Sequence, residues 1–189
     1  MLSKKASERW DTFQRQKKES ILSHKGDIYN IIYGAYNPPG DEKHSGEKER
    51  LIKLRDHLRN DGYIHTYLVE DFPSNPNSVS PNLDKSYDCL NLADLNILVF
   101  TCRGKTDSVA SELKYAIQYN LLPKCRVYEE VRNGITAMGT LLKEELTRER
   151  YIVFKVEFEN DTELYEVVKA DVFSFLVKYL RTPRRTSPS

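Results

Sequence analysis

The spacing of hydrophobic positions changes repeatedly along the chain. Short apolar runs, such as LNILVF at 95–100, alternate with longer segments in which large apolar residues recur every three or four positions. The first pattern is typical of strands buried on both faces, and the second is typical of amphipathic helices. The pattern predicts five strands, at about residues 28–34, 64–70, 95–101, 124–131 and 151–158.

Helical spacing fills the segments between these strands. After a polar loop, Leu51, Leu54 and Leu58 repeat on one helix face, and Asp61-Gly62 ends that helix. The residues of the last helix that are predicted to face inward are Leu164, Val168, Val172, Phe175, Leu176 and Tyr179. In the helix before it, the predicted inward residues are Ile135, Met138, Leu141, Leu142 and Leu146. The last helix is predicted at about residues 162–180, and the helix before it at about 134–149. The other predicted helices are at about residues 6–22, 83–93 and 104–117.

Strands that alternate with helices predict an α/β fold with right-handed crossovers. We expect a flavodoxin-like three-layer sandwich, in which a five-stranded parallel sheet of order 2-1-3-4-5 carries helices on both faces. The domain itself is expected to cover 26–182. Residues 1–25 are interpreted as a helical appendage, and 183–189 as a disordered basic tail.

Composition narrows the function classes. A chain of 189 residues suits one sizeable domain, and its net charge of +1 gives no basic field for nucleic acid, so nucleic-acid binding is not expected. No apolar run is long enough to span a bilayer, and the N-terminus has no secretory signal. The three cysteines and the four scattered histidines do not have the sequence spacing of metal ligands. We therefore expect a cytoplasmic protein without a metal or cofactor.

The predicted topology indicates where a ligand would bind. In open α/β sheets, ligands bind at the carboxyl ends of strands, where the strand order reverses. In this chain that place lies between the first and third strands. The candidate site is therefore the loop from Gly34 to Gly40, facing the loop from Thr101 to Ser108.

The helix after the third strand carries polar residues beside its core face. Counting about 100° per residue places Glu112 at the edge of the stripe formed by the apolar residues. Ser108 and Tyr115 continue one polar line with it, and Ser111 lies next to that line. The alternative is an ordinary helix start, with Asp107 or Ser108 as the N-cap and Glu112 as an acidic residue of the early turns.

The loop after the first strand, YGAYNPP, supplies a different set of groups. Gly34 permits close backbone approach, Tyr33 and Tyr36 offer rings, and Asn37 offers an amide. Rings beside small residues at a strand end suit stacking on a nucleobase or closing over a sugar. The alternative for either tyrosine is an ordinary core or surface position.

Two stretches resemble nucleoside 2-deoxyribosyltransferase-like proteins. ADLNILVFTCRGKTDSVASELKYAI is similar to the family's buried strand, followed by a loop, an aspartate and a glutamate, and NIIYGAYNPP resembles its opening element. The resemblance covers roughly residues 28–135. The wider superfamily includes TIR-like domains, which share the sheet and a comparably placed glutamate.

The resemblance implies an N-glycosidase or N-ribosyltransferase acting on a nucleoside, a nucleotide or NAD. Glu112 would be the nucleophile that attacks the anomeric carbon, and Asp107 would help to bind the nucleoside and handle the departing base. A carboxylate stabilises an oxocarbenium-like state, and a second acid assists the leaving base. Asp71, at the end of the second strand, is favoured over Asp88 as a further acid that assists the reaction. The alternative for Asp71 is an ordinary turn residue. We also expect the chain to form a homo-oligomer, namely a dimer, because sites of this family are often completed by a neighbouring subunit.

Two other functions compete with this one. The first is a TIR-like nucleotide-binding or signalling module that holds its ligand without turnover. The second is an interaction protein that dimerises through its N-terminal helix. Base release that depends on Glu112 would separate the enzyme from both.

Overall fold

The computed structural model describes residues 4–35, 46–149, 154–156 and 161–181. Its strands are β1 (Asn30–Gly34), β2 (Thr66–Leu68), β3 (Leu95–Phe100), β4 (Cys125–Arg132), β5 (Ile135–Thr136) and β6 (Phe154–Val156). In the central sheet, β2, β1, β3, β4 and β6 lie side by side and run parallel. This order is the predicted 2-1-3-4-5 order.

The sheet is mixed, so the prediction of a purely parallel sheet is wrong. The short strand β5 pairs antiparallel with the end of β4. The two are joined by Asn133 and Gly134, whose φ angles are 51° and 75°. Positive φ at both central residues is the pattern of a type I′ hairpin turn, for which Asn-Gly is the preferred sequence. This local signal outweighs the helical spacing that predicted a helix from residue 134.

Helices cover both faces of the sheet. The helices are α1 (Lys4–Leu22), α2 (Gly46–Asn60), α3 (Pro81–Leu92), α4 (Asp107–Gln118), α5 (Thr140–Arg148) and α6 (Asp161–Arg181). Helices α2 and α6 lie on one face and pack against each other, and α3, α4 and α5 lie on the other face. The predicted three layers are therefore present.

Two hydrophobic cores lie on opposite faces of the sheet. Successive residues of β1 alternate between them, with Ile32 in the core under α2 and α6 and Ile31 in the core under α3, α4 and α5. All residues of β1 and β3 are buried, as the apolar runs predict. The inward residues predicted for α6 pack in or against the first core. They are Leu164, Val168, Val172, Phe175, Leu176 and Tyr179.

The prediction for α5 is correct in part. Met138, Leu142 and Leu146 are buried, whereas Ile135 and Leu141 are 68% and 81% exposed. Ile135 belongs to the hairpin strand β5, so it follows no helical periodicity. The helix itself begins only at Thr140.

Helix α1 precedes the sheet and touches it little. It packs against α6, and its residues from Trp10 to Ser20 are exposed. Its largest side chains, Trp10 and Phe13, are 58% and 51% exposed and stack on each other. Residues 183–189, predicted as a basic tail, lie outside the described residues. Among the described helices, none combines the length and apolar character that a membrane crossing requires.

Candidate functional site

The loops that follow β1 and β3 come into direct contact. A Cβ atom on Gly104 would lie 2.6 Å from the Cβ of Ala35. One on Gly34 would lie 2.7 Å from a methyl group of Leu51 on α2. The carboxyl ends of β1 and β3 thus meet as the topology predicts, and the described part of this crevice is closely packed. Tyr36 and Asn37, both predicted to bind substrate, lie outside the described residues.

Glu112 lies on the buried side of α4 and is 8% exposed. Its carboxylate accepts a hydrogen bond from the hydroxyl of Ser86 on α3, which is itself 4% exposed. No lysine, arginine or histidine among the described residues forms an ion pair with it. Moving a carboxylate out of water costs free energy, and much of that cost remains when no cation lies beside it. Glu112 is therefore a buried polar group of the α3–α4 interface, at the edge of the core.

This environment changes the ionisation of Glu112. Burial raises the pKa of the carboxyl group to about 7, the hydrogen bond from Ser86 opposes that rise, and the nearby carboxylate of Glu70 adds to it. A carboxyl group with a pKa close to neutrality exchanges a proton readily at physiological pH. Perturbed values of this kind are common at catalytic sites, although buried structural groups show them too.

Tyr33 lies beside Glu112 at the end of β1 and is fully buried. Its hydroxyl donates to the side-chain oxygen of Asn96 on β3 at 3.2 Å, and the Asn96 amide donates to the Leu90 carbonyl at 3.0 Å. Burial raises the pKa of Tyr33 well above its usual value, and the charges of Cys89 and Glu112 add to the effect. The predicted substrate-binding tyrosine is thus a neutral hydrogen-bonding group in the core.

A pair of stacked tyrosines flanks Glu112. The rings of Tyr87 on α3 and Tyr115 on α4 have centroids 3.9 Å apart at an interplanar angle of 16°. Asn91 donates to the Tyr115 hydroxyl at 2.9 Å. Burial raises the pKa of Tyr87, and the carboxylate of Glu112 is the next cause. The stack therefore holds α3 against α4 close to the Glu112 carboxylate.

Three predicted site residues of α4 face away from this interface. Asp107, Ser108 and Ser111 are exposed, and Ser111 donates to the backbone carbonyl of Asp107 at 2.9 Å. Because Asp107 and Glu112 are about 140° apart around the helix, their side chains point to different sides. The described residues bring Glu112 and Tyr115 together, but they do not bring Asp107 to Glu112.

Asp71 has partners of its own. It accepts the Leu68 backbone N–H at 2.9 Å and pairs with Arg55 at 3.1 Å. A weaker pair to Arg59 measures 3.9 Å. These contacts join the turn after β2 to α2. Asp71 is accordingly held by arginines of the opposite helical layer.

A cavity of about 810 Å³ lies along α3. Such a volume is typical of pockets that bind small molecules. Its walls include the Tyr87–Tyr115 stack and Cys89, whose thiol pKa is raised chiefly by burial. Asp88 also lines it, whereas Glu112 itself does not. The Glu112 carboxylate therefore does not open into this cavity.

A second polar cluster lies at the ends of β1, β3 and β4. The guanidinium of Arg50 on α2 is 2.8 Å from Glu47 and 2.8 Å from Asp161 on α6. It is 3.6 Å from Glu130 on β4, which also accepts the backbone N–H of Cys102 at 2.7 Å. On the other face of the sheet, Glu129 pairs with Lys143 at 2.7 Å. These contacts fasten helices to the carboxyl end of the sheet.

Ser86 and Tyr87 were not among the predicted site residues. A signal for Ser86 does exist, because it shares one face of α3 with Leu90 and Ala93, at helical spacing. A lone hydroxyl on an apolar face indicates a buried hydrogen bond. The identity of its partner, however, depends on how α3 packs against α4.

Comparisons with known proteins give limited similarity. No protein-family model matches the sequence. No curated protein matches it at a significant level. A similar solved structure is that of the Clostridium botulinum CMP N-glycosidase BcmB, with 13% identity and a TM-score of 0.49. The match covers 75% of this chain and 98% of that one. Similarity at this level carries no argument about activity.

Proposed function

We propose that the chain is an N-glycosidase that cleaves the bond between the base and the sugar of a nucleoside, a nucleotide or NAD. The observation that carries the proposal is the carboxylate of Glu112. It is buried, it has no ion-pair partner among the described residues, and burial raises its pKa to about 7. A structural carboxylate is usually placed in water or paired with a cation, because burial alone costs free energy.

The proposed reaction uses the ionised form of Glu112. As the C–N bond breaks, its electron pair leaves with the base, and positive charge develops at the anomeric carbon. The carboxylate stabilises that charge, either as an ion pair or by forming an ester bond. Water then supplies a hydroxyl group to the anomeric carbon, and its remaining proton goes to the base. A transferase would use the same first step and deliver a second base in place of water.

The cavity along α3 supports this proposal. Stacked rings recognise planar heterocycles, and Tyr87 and Tyr115 form part of its wall. The same two residues flank Glu112. In the proposed complex the base occupies the cavity, and the sugar approaches Glu112 after a movement of side chains in the cavity wall.

One observation favours a second function, which is nucleotide binding without turnover. Neither Glu112 nor Asp107 lines the cavity, and Asp107 is exposed. A protein of this kind would bind the base in the cavity while Glu112 stayed hydrogen-bonded to Ser86. Saturable binding of a nucleotide, with no product, would identify this function.

Base release decides between the two functions. The protein is incubated with nucleosides, 5′-nucleotides and NAD, and free base is measured by chromatography for the wild type, Glu112→Gln and Glu144→Gln. Glu144 is an exposed glutamate of α5 and serves as the matched control. We expect release by the wild type and the control, and a loss of at least a hundredfold in Glu112→Gln. Equal release by all three proteins, or none from any substrate, would refute the glycosidase.

A further inference from the structure

Ser86 is the group that holds the Glu112 carboxylate. Its hydroxyl donates to one carboxylate oxygen, and both side chains are buried. Among the described residues, this is the one hydrogen bond that the Glu112 side chain makes. The other carboxylate oxygen is therefore the one left available to a reacting atom.

Ser86 is positioned by contacts of the residues that follow it on α3. The adjacent Tyr87 stacks on Tyr115, three residues along α4 from Glu112, at a centroid distance of 3.9 Å. One turn beyond Tyr87, Asn91 donates to the Tyr115 hydroxyl at 2.9 Å. Two side-chain contacts thus tie α3 to α4 next to the Ser86–Glu112 hydrogen bond. A hydroxyl held in this way loses little freedom when it donates.

We propose that Ser86 is a positioning residue for Glu112. The Ser86 hydroxyl fixes the orientation of the Glu112 carboxylate and favours its ionised form. The catalytic consequence rests on the proposed function, but the effect on ionisation does not. A hydrogen bond donated to a carboxylate stabilises the charged form over the neutral one.

The other groups near Glu112 do not replace this donor. Glu70, from the turn after β2, is an anion and opposes ionisation. Tyr33 from β1 and Tyr87 and Cys89 from α3 are neutral near pH 7, since burial raises the pKa of each. Removing the Ser86 hydroxyl therefore leaves the buried carboxylate with no compensating group among the described residues.

The test measures the titration of Glu112 directly. The side-chain carboxyl carbons of glutamate are labelled with ¹³C, and the Glu112 signal is assigned by its loss in Glu112→Gln. The midpoint is then followed by NMR in the wild type, Ser86→Ala, Ser86→Cys and Ser111→Ala. Ser86→Cys keeps the shape and weakens the donor. Ser111, exposed on α4, provides the matched control.

We expect the Glu112 midpoint to rise by about one pH unit in Ser86→Ala and by less in Ser86→Cys. Ser111→Ala should leave it unchanged. If the wild type releases base, the pH at which kcat/KM reaches its plateau should rise with the midpoint. A midpoint that stays at the wild-type value in Ser86→Ala or Ser86→Cys overturns the proposal. A raised midpoint in a protein that releases no base supports the positioning role and refutes the proposed function alone.

Discussion

At the scale of single residues, the ionisation of Glu112 links the candidate site to stability. The usual pKa of a glutamate carboxyl is 4.5, and burial raises that of Glu112 to about 7. The folded protein therefore holds this proton more tightly than the unfolded chain does. Between these values the free energy of unfolding falls as the pH rises, because the folded state must give up a proton that the unfolded state has already lost.

The first prediction follows for Glu112→Gln. Between about pH 4.5 and 7, the wild type should lose on the order of 2–3 kcal/mol of stability relative to the variant, whose side chain cannot ionise. Urea unfolding of both proteins at several pH values measures the difference. A difference that does not depend on pH would show that Glu112 ionises in the folded protein as it does in water.

The substitution Gly104→Ala tests how closely the loops after β1 and β3 pack. A side chain there would meet the Cβ of Ala35 at 2.6 Å, so one of the loops must shift. We expect Gly104→Ala to lower the free energy of unfolding by about 1–3 kcal/mol. Gly46 at the start of α2 has open space around it, and Gly46→Ala is the control. Equal melting temperatures for the two variants would contradict the close packing.

At the scale of elements, Arg50 joins three parts of the fold. Its partners belong to α2 itself, to the end of β4 and to the start of α6. Removal of the guanidinium leaves the buried Glu47 without its cation and leaves Glu130 paired with Arg132 alone, at 3.1 Å. Breaking a buried ion cluster in this way is strongly destabilising.

We therefore predict that Arg50→Met lowers the free energy of unfolding by about 3 kcal/mol. Lys53→Met removes an exposed pair with Glu49 on the same helix, and its urea midpoint should stay close to that of the wild type. The double variant Arg50→Met, Glu130→Gln should recover part of the loss. If Arg50→Met and Lys53→Met unfold at the same urea concentration, the cluster has no structural role.

The elements themselves could be predicted where one local pattern dominates. Leu164, Val168 and Val172 repeat at helical spacing and give α6, and the apolar run at 95–100 gives β3. The start of α5 was missed because the Asn133-Gly134 turn competes with that spacing. A turn is decided by backbone angles, which hydrophobic periodicity does not report.

The candidate site was less predictable than the fold. The angular count placed Glu112 at the edge of the core face, and it is buried there. Its partner Ser86 lies on another helix, and Tyr33 pairs with Asn96 on a different strand. Such pairs arise only when distant segments pack together. The exposure of Asp107, by contrast, follows from its angular distance to Glu112 on the same helix.

At the scale of the whole molecule, α1 differs from the rest of the fold. Its middle turns are exposed, whereas all residues of β3 are buried. Few apolar contacts stabilise such a helix, so its local opening costs less than global unfolding. The appendage at residues 1–25 stays a prediction.

Hydrogen exchange tests this division. Amides of α1 should exchange on the order of a hundredfold faster, or more, than those of β3. Mass spectrometry of peptides from both elements measures the ratio. Similar protection in both would contradict the appendage. Protection of α1 that grows with protein concentration would indicate that a second copy covers Trp10 and Phe13.

The paired glutamates at the end of β4 have a consequence for the alignment of the sheet. Glu129 is held by Lys143 on one face, and Glu130 lies near Arg50 on the other. A slip of β4 by one position along β3 would exchange the faces of every side chain on the strand. A slip in one direction places Glu130 beside Lys143 but moves Glu129 to the position of Tyr128, which lies in the first hydrophobic core. Glu129 therefore acts as a register mark against a slip in that direction, because misaligned strand pairing would bury its carboxylate without a cation.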